Sequence, residues 1–175
     1  MLQRSYTLPP TPDYPLSIIA KRYWTPDSDT EDPAAQTLIC LHSTSFHKEA
    51  WEPTLQDLFK RASQSNTKVQ LIRDAWAIDC PNHGESGVLN SQILKDLHLT
   101  KCMSLSFDVW VSLTSLFFWK VSCERYAYAV HRFLSSGLGP GIRVDFRRRN
   151  LVGVGHSLGA NAMYVRLIEL NELII

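Results

Sequence analysis

Residues 150–163 read NLVGVGHSLGANAM, and the rest of the chain can be placed around them. Leu151, Val152 and Val154, with small Gly153 between them, form the short apolar run of a buried strand. Gly155-His156-Ser157-Leu158-Gly159 is a G-x-S-x-G pentapeptide, and Asn161 to Leu170 follows as a helical pattern. From average Gly and Ser usage, such a pentapeptide arises by chance in roughly one chain in twenty of this length, so its flanks decide its meaning. An apolar strand before it and small residues after it (Gly159, Ala160, Ala162) make it a strand, a sharp turn and a helix start.

That arrangement suits a nucleophile. A serine hydroxyl is weakly nucleophilic and must be presented to a base and to a substrate together. A tight turn between strand and helix lifts Ser157 above the sheet edge. Gly155 and Gly159 fit because a Cβ would clash in so crowded a turn. The same turn aims the Leu158 N–H at the reacting centre, where the helix N-terminus favours a developing anion.

The chain has 175 residues, enough for one domain with its own core. A net charge of +1 gives no reason to expect a nucleic-acid partner. The four cysteines (Cys40, Cys80, Cys102, Cys123) contain no C-x-x-C pair and are too sparse for a disulfide framework, which points to a reducing, cytoplasmic compartment. Residues 1–15 are proline-rich, lack an apolar signal-peptide core and should be extended or poorly ordered.

Further along, Ile18–Trp24 alternates as a strand and Thr25–Gln36 is a polar turn region. Thr37–Leu41 is a buried strand, followed by the polar loop His42-Ser43-Thr44-Ser45-Phe46. Trp51, Leu55, Leu58, Phe59 and Ala62 recur at helical spacing, with Pro53 tolerated in the first turn. Another buried strand lies within Val69–Asp79, centred on Ala75–Asp79, and Cys80–Gly87 reads as a loop. Leu89–Leu99 suits a short helix. Met103–Val121 is apolar and aromatic without a clean period; Asp108 and four serines argue against a membrane span and for a lid or core-adjacent segment. Tyr126, Ala127, Val130, Phe133 and Leu134 mark an amphipathic helix that ends at Gly137–Gly141. Arg143 and Arg147–Arg149 read as a solvated basic loop.

Strands alternating with helices predict an α/β fold with a mostly parallel sheet and flanking helices. Ligands in such sheets bind beyond the carboxyl ends of the strands, where the loops 42–45, 81–86 and 155–159 arrive.

Three stretches, HSTSFHKEAWEP (42–53), DAWAIDCPNHGES (74–86) and LVGVGHSLGANAM (151–163), resemble the N-terminal half of an α/β-hydrolase. They are most similar to the fungal α/β-hydrolases of secondary metabolism, including toxin-biosynthesis hydrolases and the acyl-CoA hydrolase of the mycophenolic acid pathway. The resemblance covers about residues 15–90 and 124–170. It implies a partial α/β-hydrolase domain over 16–175, after an extended segment at 1–15, with an unmatched insertion at about 100–122.

The resemblance also implies roles. Ser157 matches the nucleophile, and the N–H groups of Leu158 and Thr44 match the two oxyanion donors. Ser43 stands where the family usually has glycine. His42, His156, Gly155 and Gly159 match supporting positions, and His83 matches a structural loop histidine. The family acid and catalytic histidine follow the nucleophile in the chain. Only 18 residues (158–175) follow Ser157, and neither group has a counterpart among them. Some relatives are peroxisomal, but the final residues NELII are not a Ser-Lys-Leu type address.

Could another histidine serve as base? His42, His47 and His83 are loop residues expected to be structural, His98 and His131 lie in segments with no reason to reach Ser157, and adjacency disfavours His156. The spacings of His42, His47 and His83 match no zinc pattern, and the serine-hydrolase reading needs no metal or organic cofactor. Three readings stay open: a serine hydrolase acting on a small-molecule ester or thioester, a catalytically incomplete hydrolase-like chain, and a membrane-associated protein anchored by Met103–Val121.

Overall fold

The computed structural model describes residues 1–28, 32–64, 72–96, 123–137 and 144–164. Within them, strands β1 (Leu2–Leu8), β2 (Ile18–Trp24), β3 (Gln36–Leu41), β4 (Ile72–Ile78) and β5 (Asn150–Gly155) form one sheet in the order β1-β2-β4-β3-β5. β2 is antiparallel to both β1 and β4. β3 pairs in parallel with β4 on one side and β5 on the other. The expected α/β layering is present, with the parallel strands where the G-x-S-x-G turn emerges.

Side-chain alternation divides the core into two layers. Leu38, Cys40, Ala75 and Ala77 face helix α1 (Glu52–Gln64), which contributes Leu55 and Phe59. Ile39, Leu41, Trp76 and Ile78 face the opposite side, beneath the helix Cys123–Ser135, labelled α3. In α3, Tyr126, Ala127, Ala129, Val130 and Phe133 recur at the three- and four-residue spacing that puts them on one face. Trp76, fully buried, sits against Tyr6, Phe133 and Phe146 with ring centroids 4.9, 5.7 and 5.1 Å away.

Several boundaries differ from expectation. Residues 2–8 form an edge strand paired along its whole length with β2. Most of its side chains are exposed, so backbone pairing rather than burial places it. The strand centred on 75–79 starts three residues earlier, at Ile72, because its polar opening residues, Arg73 and Asp74, are buried in ion pairs and hydrogen bonds. The predicted 80–87 loop closes early: helix α2 (Gly84–Leu89) begins inside it, and helical turns resume over 91–96. α2 is tied to β2 by Ser86 Oγ, which accepts the Ile19 N–H at 2.9 Å. Asn90 Oδ1 accepts the Ser17 N–H at 2.8 Å, and its Nδ2 donates to the Ser17 carbonyl at 2.9 Å. The 100–122 insertion, with the whole of Met103–Val121, lies outside the described residues. Among the described residues no helix is long and apolar enough to cross a membrane.

At the end of the sheet away from the loops, Asp74 is fully buried and joins four strands or their approaches. It accepts from Arg22 Nε at 2.7 Å and Thr37 Oγ1 at 2.7 Å, and Arg149 Nη1 lies 3.2 Å away. Beside β5, Leu151, Gly153, Met163, Tyr164, Val130 and Leu134 line an apolar cavity of about 500 Å³.

Candidate active site

The strand-to-helix turn sits at the carboxyl end of β5. β5 ends at Gly155, Ser157 follows in the turn, and helix runs over 158–164. Ser157 has φ 51°, in the left-handed region that a side chain enters at a cost of about 1–2 kcal/mol. Its side chain is exposed above the sheet edge. The turn is stitched by hydrogen bonds: the Gly159 N–H donates to the His156 carbonyl at 3.0 Å and the Asn161 N–H to the Ser157 carbonyl at 3.0 Å. The His156 N–H donates to the Leu41 carbonyl at 3.1 Å, so the elbow hangs from the end of β3.

Both glycines are required by close approach. A Cβ on Gly155 would come within 2.6 Å of the Ala160 backbone. A Cβ on Gly159 would overlap the Leu41 carbonyl oxygen and lie 2.5 Å from its carbon. The helix can therefore start directly over β3, with Gly159 buried and Leu158 half-buried. As the first helical residue, Leu158 has an N–H with no intrahelical acceptor.

The 42–46 loop leaves β3 on the adjoining strand end. The Phe46 N–H closes a turn onto the Ser43 carbonyl at 3.2 Å, with Ser45 at φ 67°. Thr44 is exposed, and among the described residues its N–H makes no hydrogen bond. Ser43 is buried, and its hydroxyl reaches the Thr44 carbonyl at 3.4 Å. The structure thus puts Ser157, Leu158 and Thr44 on the ends of two hydrogen-bonded parallel strands.

The histidines are committed elsewhere. His42 is buried; its Nδ1 lies 2.8 Å from the Ser43 carbonyl and its Nε2 accepts the Cys80 N–H at 3.0 Å. Burial lowers its pKa, and the opposing pull of Asp79 does not overcome this. His83 Nδ1 lies 2.6 Å from Asn82 Oδ1, and its Nε2 accepts the Ser45 N–H at 3.0 Å. Burial lowers its pKa as well. His47 is exposed and paired with Glu49 at 2.8 Å. His131 lies on α3, His156 is exposed in the elbow, and His98 falls outside the described residues. Among the described residues no hydrogen bond joins Ser157 to a histidine, and no cluster of three metal-ligating side chains is present.

Sequence pattern alone gave no sign of a second feature beneath the loops. Lys48 is fully buried, and its Nζ reaches Asp79 Oδ2 at 3.0 Å, Glu85 Oε2 at 2.8 Å and Glu49 Oε1 at 3.0 Å. The Lys48 N–H also donates to Asp79 Oδ1 at 2.8 Å. Burial disfavours the ammonium, but Glu85, Glu49 and Asp79 together hold its pKa above the ordinary lysine value. Lys48 thereby ties the end of β4, through Asp79, to the turn before α1 and, through Glu85, to α2.

No protein-family model and no curated protein sequence matches this chain. Among solved structures it is similar to the peroxisomal α/β-hydrolase Lpx1 (Yor084w) of Saccharomyces cerevisiae, at 16% identity and a TM-score of 0.58. That superposition covers 94% of this chain and 39% of Lpx1. A siderophore hydrolase, EstA of Aspergillus nidulans, aligns at 17% identity over 90% of this chain and 49% of its own, but its TM-score of 0.40 supports nothing further. The likeness to Lpx1 shows a partial α/β-hydrolase fold, and the chain spans about two fifths of Lpx1's length.

Proposed function

We propose that this chain carries the nucleophile side of a serine hydrolase acting on a small-molecule ester or thioester. One observation carries the reading: Ser157, exposed and in the left-handed region, stands on a glycine-flanked turn from β5 into a helix. A non-glycine residue held there at an energetic cost is more readily explained by chemistry than by packing. Ser157 Oγ attacks the acyl carbonyl, and the Leu158 and Thr44 N–H groups hold the oxyanion. The acyl-enzyme is then released by water. An acyl-CoA-like thioester in fungal secondary metabolism is the substrate class implied by the resemblance of residues 42–53, 74–86 and 151–163. Sparse cysteines favour a reducing cytoplasmic setting, and the likeness to Lpx1 raises the peroxisome as the alternative.

In this reading the general base and its acid are not among the 175 residues. His42 and His83 have both ring nitrogens engaged, which favours a second reading: a nucleophile elbow without its proton relay in this chain. Without base and acid, only binding and oxyanion stabilisation can contribute to rate. The test is slow turnover of p-nitrophenyl acetate by the 175-residue chain, together with labelling by a fluorophosphonate and mapping of the modified residue. Turnover that Ser157→Ala barely changes, with at most slow labelling of Ser157, supports the elbow and the absent relay. Fast turnover abolished by Ser157→Ala shows that a base is present after all. Label on another residue in preference to Ser157 removes the nucleophile assignment.

A further inference from the structure

Two histidines 41 positions apart each accept a backbone N–H from the other's loop. His42, in the loop after β3, accepts from Cys80 at 3.0 Å. His83, in the loop after β4, accepts from Ser45 at 3.0 Å. Their rings lie 5.4 Å apart at 55°. We propose that this reciprocal pair of imidazole acceptors sets the 42–46 loop, and that His83 is a positioning residue for the Thr44 N–H. The proposal rests on the reading of Thr44 as an oxyanion donor.

The geometry fixes the ring state needed. A nitrogen that accepts a backbone N–H must be unprotonated. Each Nε2 faces a donor, so each proton sits on Nδ1, directed at the Ser43 carbonyl in one case and at Asn82 Oδ1 in the other. Asn82 thus fixes the tautomer of His83, and His83 holds Ser45. Ser45 needs holding, because its φ of 67° is unfavourable for a residue with a side chain. Its neighbour Thr44 carries the N–H in question. Protonation of His83 would turn Nε2 into a donor facing another donor, and the loop would lose its clamp.

The groups around the pair come from every packed element. Asp79, at the end of β4, has Oδ1 3.8 Å from His42 Nε2. Lys48, before α1, neutralises Asp79 at 3.0 Å and also meets Glu85 of α2. Tyr126 of α3 lies against His42, the two rings tilted with centroids 5.5 Å apart, and donates its hydroxyl to the Ile78 carbonyl. Asp79 is the anion that would favour an imidazolium, and Lys48 balances it. His83 is the less buried of the two rings, so it protonates first as the pH falls.

Amide hydrogen exchange and histidine nitrogen shifts, measured by NMR on the whole 175-residue chain, test the clamp without reference to turnover. Both rings should be in the Nδ1–H tautomer near neutral pH. Protection of the Ser45 amide should fall with the His83 titration, while that of Cys80 survives to lower pH. His83→Phe should speed Ser45 exchange at least tenfold and leave Cys80 protected. Because loss of a half-buried ring can unfold a chain, Asn82→Asp gives an independent arm. Its carboxylate keeps the Nδ1–H partner but favours the imidazolium, so the pH at which Ser45 loses protection should rise. An Nε2–H tautomer on His83, or Ser45 exchange insensitive to His83 and Asn82, overturns the clamp. Fluorophosphonate labelling of Ser157 separates the two levels. A clamp that responds as expected in a chain that labels elsewhere in preference to Ser157 leaves the clamp standing and removes the hydrolase reading. Labelling that proceeds equally fast in His83→Phe removes the positioning role.

Discussion

Replacing Gly159 by alanine tests how tightly the elbow is suspended from β3. The new Cβ would overlap the Leu41 carbonyl oxygen, sit 2.5 Å from the Leu41 carbonyl carbon and 2.7 Å from its Cβ. Ordinary contacts begin near 3.5 Å, so the elbow must move away from β3 by about 1 Å. None of the three obstacles is the end of a flexible side chain, and the movement cannot be absorbed by a rotamer change. The same displacement strains the His156 N–H to Leu41 carbonyl bond of 3.1 Å. A lost hydrogen bond costs about 1 kcal/mol and overpacking about 1–3 kcal/mol. The expected destabilisation is thus about 2–4 kcal/mol, a large part of the 5–15 kcal/mol by which domains are usually stable. Urea unfolding followed by tryptophan emission reads this out, since Trp76 is fully buried against Phe133 and Phe146. The midpoint should fall with an unchanged slope. A loss under about 0.5 kcal/mol, well below the overpacking range, would refute the close approach of Gly159 to Leu41, and with it the account of why glycine stands there.

Two further outcomes follow from the buried charges. Lys48→Met leaves the fully buried Asp79 without its cation and should cost about 3–5 kcal/mol; adding Asp79→Asn should recover much of this, and a double-mutant cycle by urea unfolding measures the coupling. Stability should also fall as the pH drops below about 6.5. Burial depresses the pKa of both His42 and His83 from an ordinary value of 6.5, so the unfolded chain binds more protons there, with a slope of up to about 1.4 kcal/mol per pH unit from buried His42. Unfolding midpoints measured from pH 7.5 down to 5 check this, and a flat profile contradicts the neutral assignment of the two rings.

The pattern of Val152, Val154, Gly155, Ser157 and Gly159 was legible because apolar alternation, a nucleophilic residue and two small residues coincide within eight positions. β2 and β3 were legible for the same local reason, and α1 and α3 because their buried residues keep helical spacing. β1 was not legible as a strand: LQRSYTL has one buried residue in seven, and only its register with β2 makes it part of the sheet. The start of α2 was hidden by CPNHGESG, whose loop-like composition is overridden by Ser86 and Asn90 bonding back to β2. Lys48 and Asp79 are 31 positions apart, and nothing local marks either as buried.

By itself, then, the sequence determined the α/β alternation, the elbow and the serine on it, because each is written in neighbouring residues. Tertiary structure alone decided the order β1-β2-β4-β3-β5, the Lys48–Asp79 lock and the bonds by which His42 and His83 each accept a backbone N–H from the other's loop. The physical reason is that each joins groups distant in the chain, which meet only once the strands that carry them are paired in the sheet.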